Sequence, residues 1–126
     1  MVSLVLAQVL YTFLLTDTSA KDNSEASALR VLHHTLQQVD AIHQLIDLNP
    51  HILGFADDAT AVWQVFRSGR IASLIGLEGL HQIGGSASVL RQFHRLGVRY
   101  ITLCHDCNNE YVDSAVSESY SSMTDC

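Results

Sequence analysis

One apolar stretch, Ile71–Gly79 with the sequence IASLIGLEG, constrains the fold more than any other feature of this chain. As far as Leu77 it lacks apolar/polar alternation, which is typical of a strand buried on both faces in a parallel sheet. It ends in one carboxylate, Glu78, which is costly to bury unless a cation, a metal ion or several donors surround it. The pattern predicts a buried strand that delivers a charge to a site. A second interpretation stays open, in which Glu78 caps the next segment or pairs with an arginine at the rim.

Segments before and after this stretch have apolar residues at helical spacing. Asp22 and Glu25 resemble a capping box, and a long amphipathic helix follows them. This helix should stop near Asn49–Pro50, because the residue before a proline is pushed out of the helical region. His33, His34 and His43 on it are expected to serve in surface or boundary packing. The remaining predicted elements are a helix from Asp57 or Asp58 to Gly69, the Ile71 strand, a loop over Gly79–Ser86, a helix over Ala87–Leu96 and a strand over Val98–Cys104.

This alternation of helices and strands predicts an α/β fold with a parallel sheet, either open or closed into a barrel. Glu78 follows the first of the two strands and His105 follows the second. Adjacent parallel strands end at the same edge, so Glu78 and His105 should lie together where such folds keep their chemistry.

Composition narrows the classes of protein that this chain can belong to. Its 126 residues and 48% hydrophobic content suit one folded domain. A formal net charge of -6 argues against a nucleic-acid surface, since phosphate binding needs clustered basic residues. Three cysteines, an odd number, make a disulfide framework for the whole chain unexpected and leave the redox compartment open.

The N-terminal segment, residues 1–20, differs from the rest of the chain, 21–126. Val2–Leu15 is strongly apolar and is followed by small and polar residues at Thr16–Ala20, as in a secretory signal. It has no lysine or arginine before the apolar run, and it is shorter than the roughly 20 apolar residues that cross a bilayer. A signal-like segment and a core segment both remain open.

Three sequence blocks carry a resemblance to a known family. The blocks TLQQVDAIHQLI, ASLIGLEGLHQIG and VLRQFHRLGVRYITLCHDCNNEYVDSA resemble the membrane (renal) dipeptidase family of zinc peptidases in order and spacing. The resemblance implies a (β/α)8 TIM-barrel-like fold, of which residues 21–126 would form about half. It also implies two bridged zinc ions as cofactor, a dipeptide as substrate, and a secreted or membrane-anchored location.

The resemblance assigns roles to individual residues. Glu78 matches the carboxylate that bridges the two metal ions, and His105 matches a histidine that contacts the substrate. His81 matches a further histidine, which we interpret as structural or as support for the ligands. These residue types suit the chemistry, because a carboxylate can hold two cations and an imidazole can donate to a developing oxyanion. No residue of this chain is assigned as catalytic.

The chain also departs from the family pattern. Leu80 replaces a glycine, and Cys104 and Asp106 replace the threonine and serine that flank the histidine. Met1–Thr16 contains no His-x-Asp pair, and the later zinc histidines would lie beyond Cys126. A zinc site takes at least three protein ligands, and a complete barrel takes about 250 residues. We therefore expect a fragment of a dipeptidase that is inactive alone, with exposed strand edges that could pair with a second copy.

Two other classes of function remain as alternatives. The chain could be a non-catalytic pseudoenzyme or an interaction fragment that keeps part of a barrel as a scaffold. Alternatively, Cys104 and Cys107 form a C-x-x-C motif after a strand, as in a redox pair or half a zinc site. The redox interpretation needs a helix directly after the motif, whereas Asn108 and Asn109 are typical of a loop.

Overall fold

The computed structural model describes residues 10–11, 25–105 and 108–115. Every strand pairing within these residues is parallel, and helices separate most of the strands, which confirms an α/β fold. In chain order the elements are β1 (Leu10–Tyr11), α1 (Glu25–Leu48), β2 (Leu53–Phe55), α2 (Ala59–Arg67), β3 (Ile71–Ser73), β4 (Ile75–Leu77), a 3-10 turn (Leu80–Ile83), α3 (Ala87–Arg95) and β5 (Val98–Ile101).

The apolar stretch that begins at Ile71 forms two short strands and not one. β3 pairs with β2, whereas β4 lies between β1 and β5 in a second sheet. Leu74 separates them and is half-buried. The prediction of one strand from Ile71 to Leu77 is wrong in this respect, because the two halves hydrogen-bond to different neighbours. Both remain parallel and largely buried, so the stretch still delivers Glu78 to the end of a sheet.

β1 lies in the N-terminal segment for which a signal-like role and a core role were both open. Leu10 and Tyr11 pair with Ile75 and Gly76 of β4. Both interpretations of the N-terminal segment stay predictions, as does the boundary at residue 20. No helix in the described ranges is long and apolar enough to cross a membrane.

The helix boundaries follow from capping and breaking residues. α1 ends at Leu48, two residues before Pro50, as predicted, whereas the Asp22 half of the proposed capping box lies outside the described residues. Asp58, and not Asp57, caps α2, since its carboxylate accepts a hydrogen bond from the Ala61 amide at 2.7 Å. α3 begins after Ser86 and ends before Gly97, close to its predicted bounds.

The larger of the two apolar clusters in the described residues lies between α1, β4, β5 and α3. Phe93 and Ile75 are fully buried at its centre. Leu29 and Leu36 share the helical spacing of the buried α1 residues but are exposed, so only part of this apolar face of α1 is buried. The core residues are Val39, Ile42, Ile46, Ile75, Leu77, Ile83, Phe93 and Val98.

Candidate functional site at the carboxyl ends of β4 and β5

Glu78 and His105 lie next to each other beyond the ends of two paired strands. Glu78 directly follows β4, and its Oε1 lies 3.2 Å from Nε2 of His105. The carboxylate is 19% exposed and the imidazole 40% exposed, so both are partly accessible to solvent. Within the described residues the ion-pair partner of Glu78 is this histidine and not an arginine. The arginine interpretation of Glu78 therefore finds no support here.

A buried amide fixes the backbone of Glu78. Gln82 is fully buried, and its Nε2 donates to the Glu78 carbonyl at 2.8 Å. Its Oε1 lies 3.3 Å from Oγ1 of Thr35, a buried residue of α1 whose hydroxyl also lies 2.9 Å from the Val31 carbonyl. Sequence reasoning missed Gln82 and Thr35. The available signal was Thr35 itself, a polar residue on the apolar stripe of α1 with Val39, Ile42 and Ile46.

The turn between Glu78 and the 3-10 turn Leu80–Ile83 requires a glycine at position 79. Its φ of 108° lies in a region that side chains other than glycine rarely adopt. A Cβ at this position would lie 2.5 Å from Nδ1 of His81. The absence of a side chain at Gly79 therefore makes room for the His81 ring directly behind Glu78.

His81, in the 3-10 turn after Gly79, is half-buried, and both nitrogens of its imidazole are buried. Neither of its ring nitrogens has a hydrogen-bond partner within the described ranges. Burial, and then electrostatic repulsion from His105 when that residue is protonated, lowers the pKa of His81. Its ring is therefore held neutral at pH values where an ordinary histidine is partly charged. A supporting role for His81 stays a prediction.

The other histidines that the sequence singled out lie away from this edge. His33 and His34 are exposed on α1. His43 is half-buried, and its Nε2 lies 2.7 Å from the Leu96 carbonyl, so it connects α1 to the end of α3. These contacts agree with surface and boundary packing.

Two of the three departures from the family pattern, Leu80 and Cys104, lie within the described residues. The Leu80 side chain packs against the main core, and its amide donates to the Leu103 carbonyl at 3.3 Å. Cys104 is half-buried with a free thiol, while Asp106 and Cys107 lie outside the described residues. Beyond them Asn109 and Val112 form a tight turn through an isolated bridge. The helix that the redox interpretation needs does not follow directly in the described part of this loop.

The donor chemistry of this edge suits one part of a zinc site. Carboxylate oxygens and imidazole nitrogens are common zinc ligands. Glu78 has the carboxylate oxygens, and His105 and His81 have the imidazole nitrogens. Yet no three side chains of these types converge on one point within residues 10–11, 25–105 and 108–115. The described residues therefore fit a contribution to a metal centre and do not complete one.

Comparisons with known proteins agree on one family. The family model described as membrane dipeptidase (peptidase family M19) matches residues 3–125. "Dipeptidase ataJ" of Aspergillus terreus is 56% identical over 104 residues, which cover 82% of this chain and 25% of that protein. "Dipeptidase verJ" of Clonostachys rogersoniana is 60% identical over 86 residues, which cover 68% of this chain and 22% of that protein. The chain thus spans about a quarter of the length of these curated relatives.

A solved structure resembles the fold. An amidohydrolase from Pseudomonas aeruginosa superposes with a TM-score of 0.60 at 19% sequence identity. The match covers 62% of this chain and 24% of the amidohydrolase chain. At this identity the similarity shows the fold alone.

Proposed function

Because this chain belongs to the membrane dipeptidase family (peptidase family M19), we propose that it carries part of the active site of a zinc-dependent dipeptidase. The observation that supports this most is the pairing of Glu78 with His105 at the carboxyl ends of β4 and β5, at 3.2 Å. Parallel α/β barrels keep their chemistry at this edge. The parallel strands then form part of a (β/α)8 barrel.

In this proposal Glu78 is the metal ligand contributed by this chain. A carboxylate that is 19% exposed beyond a buried strand needs a compensating positive charge, and His105 can supply one only when it is protonated. When bound, a pair of zinc ions supplies Lewis-acid activation of water and of the scissile carbonyl. The Gln82 bond to the Glu78 carbonyl holds this ligand in place.

His105 is the proposed substrate-contacting residue. Its imidazole is the more exposed of the pair, so a dipeptide can reach it without displacing the backbone. An N–H of the ring can donate to the oxygen on which negative charge develops during hydrolysis. The dipeptide is the proposed substrate, and further zinc ligands are expected from outside the described residues.

Kinetics of a carboxylate variant test this function. The protein expressed from its complete reading frame should hydrolyse dipeptides when zinc is supplied. Glu78→Gln should lower kcat/KM at least about 1000-fold and reduce bound zinc, because a neutral amide replaces an anionic ligand. Glu25→Gln, at an exposed residue of α1, is the matched control and should leave both quantities unchanged.

The same experiment separates the alternatives. The chain of 126 residues expressed alone should bind no zinc pair and hydrolyse nothing. If the protein from the complete reading frame folds but binds no zinc and hydrolyses no dipeptide, the proposed function is wrong. That result would favour a non-catalytic scaffold.

A further inference from the structure

The loop that carries His105 is tied to the Glu78 turn ahead of the histidine. We call residues 103–105 and 108–114 the His105 loop. The Leu103 carbonyl accepts one hydrogen bond from the Leu80 amide at 3.3 Å and another from Nδ2 of Asn109 at 2.9 Å. The backbone two residues before His105 is therefore joined both to the turn after β4 and to the far side of its own loop.

Ser114 ties the same loop behind the histidine. It is 1% exposed, and its Oγ donates to the His105 carbonyl at 2.5 Å. Its amide donates to Oδ1 of Asn108 at 2.7 Å. A buried hydroxyl is costly unless it is hydrogen-bonded, and the His105 carbonyl satisfies the Ser114 hydroxyl in this way.

These bonds matter because packing alone does not hold the imidazole. The His105 side chain is 40% exposed, whereas Ser114 below it is buried. Ordering an exposed loop costs conformational entropy, which hydrogen bonds to its backbone offset. A displacement of about 1 Å in a group that contacts the substrate can cost about 100-fold in rate. The Ser114 bond acts at the backbone of the residue whose side chain must be placed.

We propose that Ser114 is a positioning residue: its hydroxyl holds the His105 carbonyl and thereby sets the place of the imidazole opposite Glu78. The catalytic consequence rests on the proposed function, in which His105 contacts the substrate. The placement of the loop does not rest on it. The two parts are measured separately.

Three variants test the proposal. Ser114→Ala removes the hydroxyl, and Ser114→Thr keeps it. Ser68→Ala is the matched control, because Oγ of Ser68 also donates to a backbone carbonyl, that of Val65, at 2.7 Å. Ser68 precedes the amino end of β3, whereas the site lies beyond the carboxyl ends of β4 and β5 in the other sheet.

Kinetics of the protein from the complete reading frame provide the first readout. Ser114→Ala should lower kcat/KM about tenfold, the effect of one lost hydrogen bond, with bound zinc unchanged. Ser114→Thr should recover activity to within about threefold of wild type, and Ser68→Ala should leave kcat/KM unchanged. If Ser114→Ala lowers the melting temperature but not kcat/KM, Ser114 is only structural and the proposal is wrong.

Hydrogen–deuterium exchange provides a second readout that does not need activity. Ser114→Ala should increase exchange at least about fivefold in peptides that cover the His105 loop and leave α1 peptides unchanged. If Ser114→Ala does not fold, the exchange experiment uses Asn108→Ala instead. Asn108 is exposed, and its Oδ1 accepts a hydrogen bond from the Ser114 amide. Unchanged exchange overturns the proposal even if wild type is active. Increased exchange in a protein that hydrolyses no dipeptide supports the placement and rejects only the proposed function.

Discussion

At the scale of single residues, Gly79 meets two requirements of the Glu78 turn. Its φ of 108° is strained for any residue with a side chain, and a Cβ would overlap the His81 ring. Gly69 has a similar φ of 78°, but a Cβ there would meet nothing within 4 Å. Substituting each glycine by alanine therefore distinguishes the cost of backbone strain, which both positions share, from the cost of overlap with the His81 ring, which only Gly79 has.

We predict that Gly79→Ala destabilises the fold more than Gly69→Ala. The backbone strain costs about 1–2 kcal/mol in each variant. The overlap with His81 should add about 1–3 kcal/mol for Gly79 alone. Urea denaturation of both variants measures the difference. Equal losses would show that the His81 ring does not pack against Gly79.

The second prediction at this scale concerns His81 and acid. Because its folded-state pKa is lowered, the unfolded chain takes up a proton at a higher pH than the folded chain does. The free energy of unfolding is therefore not reduced by His81 above the ordinary histidine pKa of about 6.5. It falls as the pH drops through that value toward the folded-state pKa, because the unfolded chain binds the proton first.

Urea midpoints at about pH 7.5 and about pH 5.5 measure this loss in the metal-free protein. Wild type should lose more stability on acidification than His81→Asn, whose amide does not titrate. His34→Asn, which removes an exposed imidazole from α1, is the control for the substitution itself. The same acid sensitivity in wild type and His81→Asn would contradict a buried neutral imidazole.

At the scale of elements, helix ends were predicted well because local signals set them. Asp58, Gly69 and Pro50 each act through their own backbone or side chain, so their effect can be read from the sequence. Strands depend on partners. β2 has only three residues and shows too little pattern to be recognised, and the break at Leu74 depends on which strands lie beside β3 and β4.

The caps of α2 and α3 give a prediction for this scale. Asp58 accepts the Ala61 amide at 2.7 Å, whereas Oγ of Ser86 lies 3.5 Å from the Val89 amide that it caps. Asp58→Ala should therefore cost about 1 kcal/mol of stability, and Ser86→Ala about half as much or less. Chemical denaturation of the two variants, monitored by circular dichroism, tests the order. A larger loss for Ser86→Ala would contradict these cap geometries.

At the scale of the whole molecule, only part of the candidate site could be predicted. The apolar run and the strand order were enough to place Glu78 and His105 at one edge. The supporting contacts of Gln82 and Ser114 were not predictable, because each is a bond from a side chain to a backbone carbonyl four or nine residues earlier, and its geometry depends on how the intervening turn or loop folds. Such contacts leave no periodic signal in a single chain, whereas a strand followed by a charged residue does.

The proposed site depends most on whether Glu78 binds metal. Crystals of the protein from its complete reading frame, grown with zinc, allow anomalous scattering to be measured at the zinc absorption edge. We predict anomalous peaks about 2.0–2.2 Å from the Glu78 carboxylate oxygens, with the His105 imidazole facing the same cavity. Zinc peaks at another place, with Glu78 still paired only to His105, would contradict the account.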